Sequence, residues 1–306
     1  MRHAGRTFRA LALLTPLALT PITFLQHSAT AQESAFVSDH LFQLLNGEIS
    51  GDAAFETIRF MTQFHRPGNS AGFTASADYL YEKAIEFGLE DVVRLTQPMT
   101  SPAWSATEGE IWITSPVLMK LADLTDVHLM LADNSRSVDL ETELIYVGEG
   151  TSADDYLGLD VQGKVVFATG SPSAVARQAI SRLGAAGLVT TAVRNTSQPW
   201  DNPDQIPWQR MPQTPPDGAG ADSWFGFVIS ARQGDELRNF LEGRALPSEV
   251  AFTGADPSGP VRVKVLIETN VDSSDMETEF IEARINGTDP SLPGIVLVCH
   301  IQEEKF

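Results

Sequence analysis

Cysteine and histidine, the residues that form disulfides and the simplest metal sites, are scarce in this sequence. Cys299 is its one cysteine, so no internal disulfide can form. No two of the four histidines after the first 31 residues lie within one helical turn, which excludes a His-Glu-x-x-His zinc helix; they are His40, His65, His128 and His300. The glycine spacings of P-loops and dinucleotide-binding turns are missing as well. Several common classes of enzyme are thereby excluded.

Basic residues are also scarce. The chain has 21 Lys and Arg against 40 Asp and Glu, a net charge of −19. Its first 31 residues hold three of the arginines and no acid, so the rest carries 18 basic and 40 acidic residues, a net of −22. Such a surface repels nucleic acid and anionic membranes. We therefore expect no nucleic-acid partner and, once the N-terminal segment is removed, no membrane partner.

The first 31 residues have the three parts of a secretory signal peptide: a basic start, an apolar run over about 10–25, and small residues at 29–31. We expect cleavage after Ala31. The alternative is a membrane anchor, but the run is shorter than the roughly 20 residues a span needs and contains Pro16 and Pro21. The prediction is export, to the periplasm or the extracellular space.

The next segment is periodic in the manner of helices. Apolar residues recur at three- and four-residue steps from about residue 33 to residue 88, and Gly88 is the predicted C-cap of the last helix. Two apolar runs follow, IWITSPVLM at 111–119 and VHLMLA at 127–132, and both are interpreted as strands. Residues 32–139 are thus a helical lead followed by the first strands.

An α/β unit is indicated after residue 140. Short β-branched runs bounded by glycine, TELIYVG, GKVVFATG and GLVTTAV, predict strands, and a helical pattern separates the last two. A loop over 195–224 then carries six prolines and three tryptophans, and its tryptophans either line a groove for peptide or sugar or pin the loop to the surface. The segment WFGFVISARQGDELRNFLEG returns to strand and helix.

The last part of the chain predicts three more strands. VRVKVLIET alternates like a half-buried strand, EFIEARING follows, and the continuous apolar run IVLV at 295–298 is typical of a strand covered on both faces. Cys299 and His300 come next. Neighbours on a strand face opposite ways, so they cannot form a catalytic dyad; Cys299 is predicted to be buried. His300 is either a metal ligand or a strand-end histidine, and Glu303 and Glu304 are predicted to face solvent.

These segments resemble two known families. GKVVFATG, LGAAGLVTTA and VISARQGDELRNFLEG are similar to a protease-associated domain, which we place at 140–255. The flanking segments RPGNSAGFTASADYLYEKAIEFGL and FIEARINGTDPSLPGIVLVCH resemble metallopeptidase family 28, the di-zinc aminopeptidases and carboxypeptidases that carry such an insert. The resemblance implies an α/β fold, with the first strands of the peptidase sheet at 256–306.

By this resemblance, His300 is a zinc ligand. Relatives have an orienting Asp two places later, where this chain has Gln302, and Glu303 is a second candidate for that role. The family binds two zinc ions, but none of its other ligands and catalytic residues has a matching position before Phe306. We therefore expect an inactive N-terminal fragment of a secreted zinc aminopeptidase whose substrate is a peptide. The alternative is a protease-associated module that binds a peptide or partner without catalysis, and whether this chain is an enzyme stays open.

Overall fold

The structure is a computed structural model, and it describes residues 37–68, 70–99, 102–191, 200–213, 224–246, 250–256, 258–272 and 277–302. The predicted signal peptide at 1–31 lies outside these ranges, as do Glu303 and Glu304. No helix in the described ranges is long and apolar enough to span a membrane.

The chain divides into two units, residues 1–54 and residues 55–306. The described part of the first unit contains helix α1, Asp39–Glu48, and the start of helix α2, Gly51–Met61. Ser38 begins α1 as its N-cap, with its hydroxyl oxygen accepting the Leu41 amide at 3.3 Å. The helical prediction for this segment is confirmed.

Helix α3, Ala71–Glu86, lies in the second unit and has a cap at each end. The Ser70 hydroxyl accepts the Phe73 amide at 3.1 Å. At the other end Gly88 has φ of +78°, and its amide donates to the Ile85 carbonyl at 3.0 Å. Glycine adopts this left-handed conformation without a Cβ clash, so the predicted cap at Gly88 is confirmed.

Eight of the strands in the described ranges form one sheet, in the order β7-β6-β5-β4-β9-β2-β3-β8, and the other two, β1 and β10, pair antiparallel with each other. Their bounds are β1 Glu90–Pro98, β2 Ala103–Ser115, β3 Val117–Asp123, β4 Val138–Tyr146, β5 Val165–Ala168, β6 Gly187–Thr190, β7 Gly226–Val228, β8 Ala251–Phe252, β9 Arg262–Asp272 and β10 Glu277–Arg284.

The parallel half of this sheet is the α/β unit that the sequence predicted. Strands β4 to β7 run parallel, with α4 (Pro172–Ala179) packed against β6 and α5 (Ala231–Leu241) in contact with β4. The core contains side chains with no exposed surface, including Phe167, Leu188 and Phe227. The α/β fold class is therefore correct.

Beyond β7 the sheet continues through isolated bridges. Leu131 pairs with Phe227 of β7, and Asp133 pairs with Arg210. The Met211 amide donates to the Asp133 carbonyl at 2.8 Å. The long proline-rich loop is thus attached to the sheet by backbone hydrogen bonds.

The antiparallel half is joined to the parallel half by β9. This strand pairs with β2 along one edge and with β4 along the other. Its buried residues alternate, Val263, Val265 and Ile267, as the sequence pattern predicted. One sheet thus combines strands from 103–123, 138–228, 251–252 and 262–272, and the domain boundaries at 139 and 256 remain predictions.

Two strand predictions are wrong. The run at 127–132 contains a 3-10 turn, His128–Met130, that buries Leu129 and Met130, so its apolar side chains serve a core turn instead of a ladder. Ile295–Val298 form no strand in the described ranges, and their side chains are 83–93% exposed. Conversely, the strand pattern of β1 was missed, because nearly all of its residues are exposed.

Gly187 offers a test of the packing between β6 and β7. A Cβ added there would lie 2.2 Å from Cζ of the buried Phe225 ring. We expect Gly187→Ala to lower the free energy of unfolding by about 1–3 kcal/mol, the usual cost of overpacking a core, measured by urea denaturation. Gly287→Ala is the control, since nothing lies within 4 Å of its added Cβ. Equal stability of the two variants would contradict this packing.

Candidate functional site

The predicted metal ligand His300 lies on an exposed segment without regular secondary structure. The apolar residues Ile295–Val298 precede it without strand partners among the described residues, and the His300 side chain is itself exposed. Cys299 is exposed too, so the prediction that it is buried is wrong. The wrong predictions of a strand at 295–298 and of a buried Cys299 have one cause. The run was interpreted as a strand covered on both faces, and in the structure its side chains are exposed.

A buried arginine holds the chain immediately after His300. Arg66 is 7% exposed, and its Nε donates to the Ile301 carbonyl at 3.0 Å. Its Nη1 donates to the Phe64 carbonyl at 3.3 Å and also to the Met61 carbonyl. A buried guanidinium needs such acceptors, because an unpaired buried charge is very costly. The position of the segment next to His300 is therefore fixed from the loop between α2 and α3.

The side chain of Gln302 lies against the same loop. A Cβ added to Gly68 would be 3.8 Å from Gln302 Oε1 and 3.5 Å from the Met99 methyl group. The structure thus brings the Arg-Pro-Gly loop, where the sequence resembles the peptidase family, next to Ile301 and Gln302, the residues that follow the second such stretch. Gln302 can accept a hydrogen bond through its amide oxygen, but it supplies no negative charge.

The residues around His300 do not form a metal centre by themselves. In the described ranges no group of three or more His, Cys, Asp and Glu side chains is placed to hold a metal ion. A catalytic zinc takes about three ligands from the protein. As a ligand, His300 would supply one of these, and Glu303, the second candidate for the orienting role, lies outside the described residues.

Charge pairs connect helix α3 with strands β1 and β10. Arg94 on β1 donates to Asp78 of α3 and lies 3.5 Å from Glu279 of β10. Its guanidinium is also 4.9 Å from the centre of the Tyr81 ring. The hydrogen bond to Asp78 raises the pKa of Arg94. These contacts attach the β1–β10 ribbon to α3.

One motif was missed by sequence reasoning. Gly68-x-Ser70-x-Gly72 has the letters of the nucleophile elbow of α/β hydrolases. In the structure the Ser70 hydroxyl accepts the Phe73 amide and donates to the His65 carbonyl at 3.2 Å. No strand precedes it among residues 62–68, whereas an elbow needs a strand-to-helix turn. Ser70 is therefore a helix cap.

The three tryptophans of the proline-rich loop separate into two kinds. Trp224 is 1% exposed and donates from Nε1 to the Pro212 carbonyl at 2.9 Å, so it pins the loop. Trp208 and Trp200 are 39% and 56% exposed. The Trp208 Nε1 donates to Asp133 at 3.0 Å, which fixes the indole while leaving part of it in solvent. The structure thus confirms that Trp224 pins the loop, whereas a groove for peptide or sugar stays a prediction.

Similar solved structures include three peptidases. The aminopeptidase from Aneurinibacillus sp. strain AM-1 has 16% sequence identity and a TM-score of 0.41, the peptidase M28 precursor from Shewanella amazonensis SB2B has 14% and 0.49, and the zinc aminopeptidase BSAP from Bacillus subtilis has 13% and 0.47. No family model and no curated protein matches the sequence.

The three alignments cover 76–79% of this chain and 46–52% of the other chains. This chain thus spans about half the length of the structures it resembles. At these identities and TM-scores the likeness concerns the fold, and it assigns no role to any residue.

The anchoring role of Arg66 can be tested with the natural cysteine. A nitroxide attached to Cys299, two residues before the Ile301 carbonyl, reports the mobility of the segment in an electron paramagnetic resonance spectrum. We expect Arg66→Met to raise that mobility, because the hydrogen bond to Ile301 is lost. Arg59→Met is the matched control, since Arg59 is exposed and pairs with Glu56. Unchanged mobility in Arg66→Met would show that the anchor lies elsewhere.

Proposed function

We propose that this chain is the N-terminal part of an exported zinc-dependent aminopeptidase, with His300 as one metal ligand. The observation that carries the proposal is the hydrogen bond from Arg66 to Ile301. It holds the residues next to His300 against the loop where the sequence resembles the same peptidase family. The proposal includes export with cleavage after Ala31, so that the mature chain begins at Gln32.

Zinc would activate a water molecule for attack on the peptide carbonyl. The chain's own contribution is narrower. Arg66 positions the backbone after His300, and the Gln302 amide is available to orient the imidazole as an outer-sphere hydrogen-bond partner. Since His300 accounts for one ligand, the proposal assigns the other ligands and the general base to further polypeptide. The substrate is a peptide with a free N-terminus.

The exposed run Ile295–Val298 supports the assignment of the other ligands to further polypeptide. Covering a large aliphatic side chain contributes about 1.5–3 kcal/mol, and four neighbouring ones stand in solvent here. Exposed apolar patches of this kind mark surfaces that another segment or partner covers. In the proposed enzyme the run becomes a central strand once that polypeptide is present, and His300 then stands at its end.

The size and activity of the native protein test the proposal together. An antibody against residues 144–177 would isolate the exported protein, and we expect an intact mass well above the 33.2 kDa of this chain. That species should hydrolyse aminoacyl p-nitroanilides, lose activity with chelator, and lose at least about tenfold on His300→Ala. The purified 306-residue chain should show no chelator-sensitive turnover. Turnover by that chain, or a native mass matching the chain without its first 31 residues, would contradict the proposal.

A second candidate function is peptide binding by the insert, without catalysis. It is favoured by the exposure of Trp200 and Trp208 and by the hydrogen bond that fixes the Trp208 indole to Asp133. Tryptophans that are both exposed and oriented are frequent anchors of protein interfaces.

This function predicts saturable binding of short fluorescent peptides that survives chelator. Trp200→Ala combined with Trp208→Ala should weaken it by about 30-fold or more, the scale of an interface anchor. Leu157→Ala is the matched control, because Leu157 is a 76% exposed apolar residue elsewhere in the same unit. Equal losses in both variants would mean that any exposed apolar contact serves, and the oriented indole would then have no special role.

A further inference from the structure

Two histidines outside the candidate site face each other. The ring centroids of His65 and His128 are 5.0 Å apart, and their planes are inclined by 32°. Both side chains are half-buried. His65 lies in the loop between α2 and α3, and His128 begins the 3-10 turn between β3 and β4. The fold thus brings together the imidazoles of two residues that are far apart in sequence.

The backbone is held firmly on both sides of this pair. The His65 carbonyl accepts the Ser70 hydroxyl at 3.2 Å, and a Cβ added to Gly72 would lie 2.1 Å from that carbonyl oxygen. The turn of His128 is fixed by the buried side chains of the two residues that follow it, Leu129 and Met130. Preorganised backbones of this kind keep ligands in place before an ion arrives.

The ring separation matches two imidazoles on one metal ion. With a zinc–nitrogen bond of about 2.0–2.1 Å and a ring centre about 1.1 Å behind the nitrogen, each bound ring is centred about 3.2 Å from the metal. Two such rings are about 5.2 Å apart at a tetrahedral angle and about 4.5 Å apart at a right angle. The observed 5.0 Å lies between these values and near the tetrahedral one.

We propose that His65 and His128 form a two-histidine site for a borderline divalent cation such as Zn²⁺. Imidazole suits this class of ion, and the net charge of −19 favours cations near the chain. No third His, Cys, Asp or Glu completes the group within the described ranges. The bound ion would clip the α2–α3 loop to the turn that precedes the parallel strands.

This site is separate from the proposed catalytic ligand. It needs neither His300 nor any residue outside the chain, so the 306-residue protein is sufficient for the test. Its failure would leave the aminopeptidase proposal untouched, and the reverse also holds.

Isothermal titration of the purified chain with ZnCl₂ at about pH 7.5 tests the site. We expect one ion per chain, weakened at least about tenfold by His65→Gln and by His128→Gln, and unaffected by His40→Gln. Binding should fall toward about pH 5, because protons compete for imidazole. Zinc should also raise the melting temperature of the parent and of His40→Gln, and not that of His65→Gln or His128→Gln.

Circular dichroism of each variant establishes that it is folded. If either His65→Gln or His128→Gln fails to fold, the parent protein modified with diethyl pyrocarbonate supplies the second measurement, since bound zinc should protect both histidines. Absence of saturable binding, or binding that persists when both histidines are replaced, would overturn the proposal and leave the pair as a ring contact only.

Discussion

The eight-stranded sheet depends on β9, because its ladder hydrogen bonds are the connection between the two halves. Along one edge β9 pairs with β2 over residues 103–115, and along the other it pairs with β4 over residues 138–143. Its inward side chains contribute to the same core as those of the parallel strands. Strand β9 comes late in the chain, and it must pair with β2 and β4 before the first strands and the α/β unit share one core. Such long-range pairing is slow to form compared with helices.

Local patterns in the sequence were sufficient for the helices and for the parallel strands. Helical steps, the cap at Gly88 and the glycine-bounded strands all depend on residues close in sequence. The strand prediction at 127–132 failed because an apolar run indicates that its residues are buried but not which backbone conformation they adopt. Here a 3-10 turn buries Leu129 and Met130. The strand prediction at 295–298 failed for a different reason. These apolar side chains are exposed, and whether they are buried depends on what covers them.

The candidate site was predicted in part. The resemblance singled out His300 and the Arg-Pro-Gly loop, but nothing in the sequence says that Arg66 donates to the Ile301 carbonyl, because that contact joins distant segments. The facing rings of His65 and His128 were invisible for the same reason. Sequence spacing identifies ligand sets that share one helix or turn, whereas these pairs exist only through the fold.

The isolated bridges beyond β7 affect how copies of this protein can associate through the sheet edge. An open sheet edge presents unpaired amides and carbonyls that recruit strands from other molecules. Here the pairing of Leu131 with Phe227, followed by that of Asp133 with Arg210, places irregular chain over the β7 edge. The opposite edge ends in β8, which is two residues long. The β7 edge is thus a poor template for fibre growth, whereas β8 pairs only with Val117 and Leu118 and leaves the rest of the β3 edge uncovered by any other described strand.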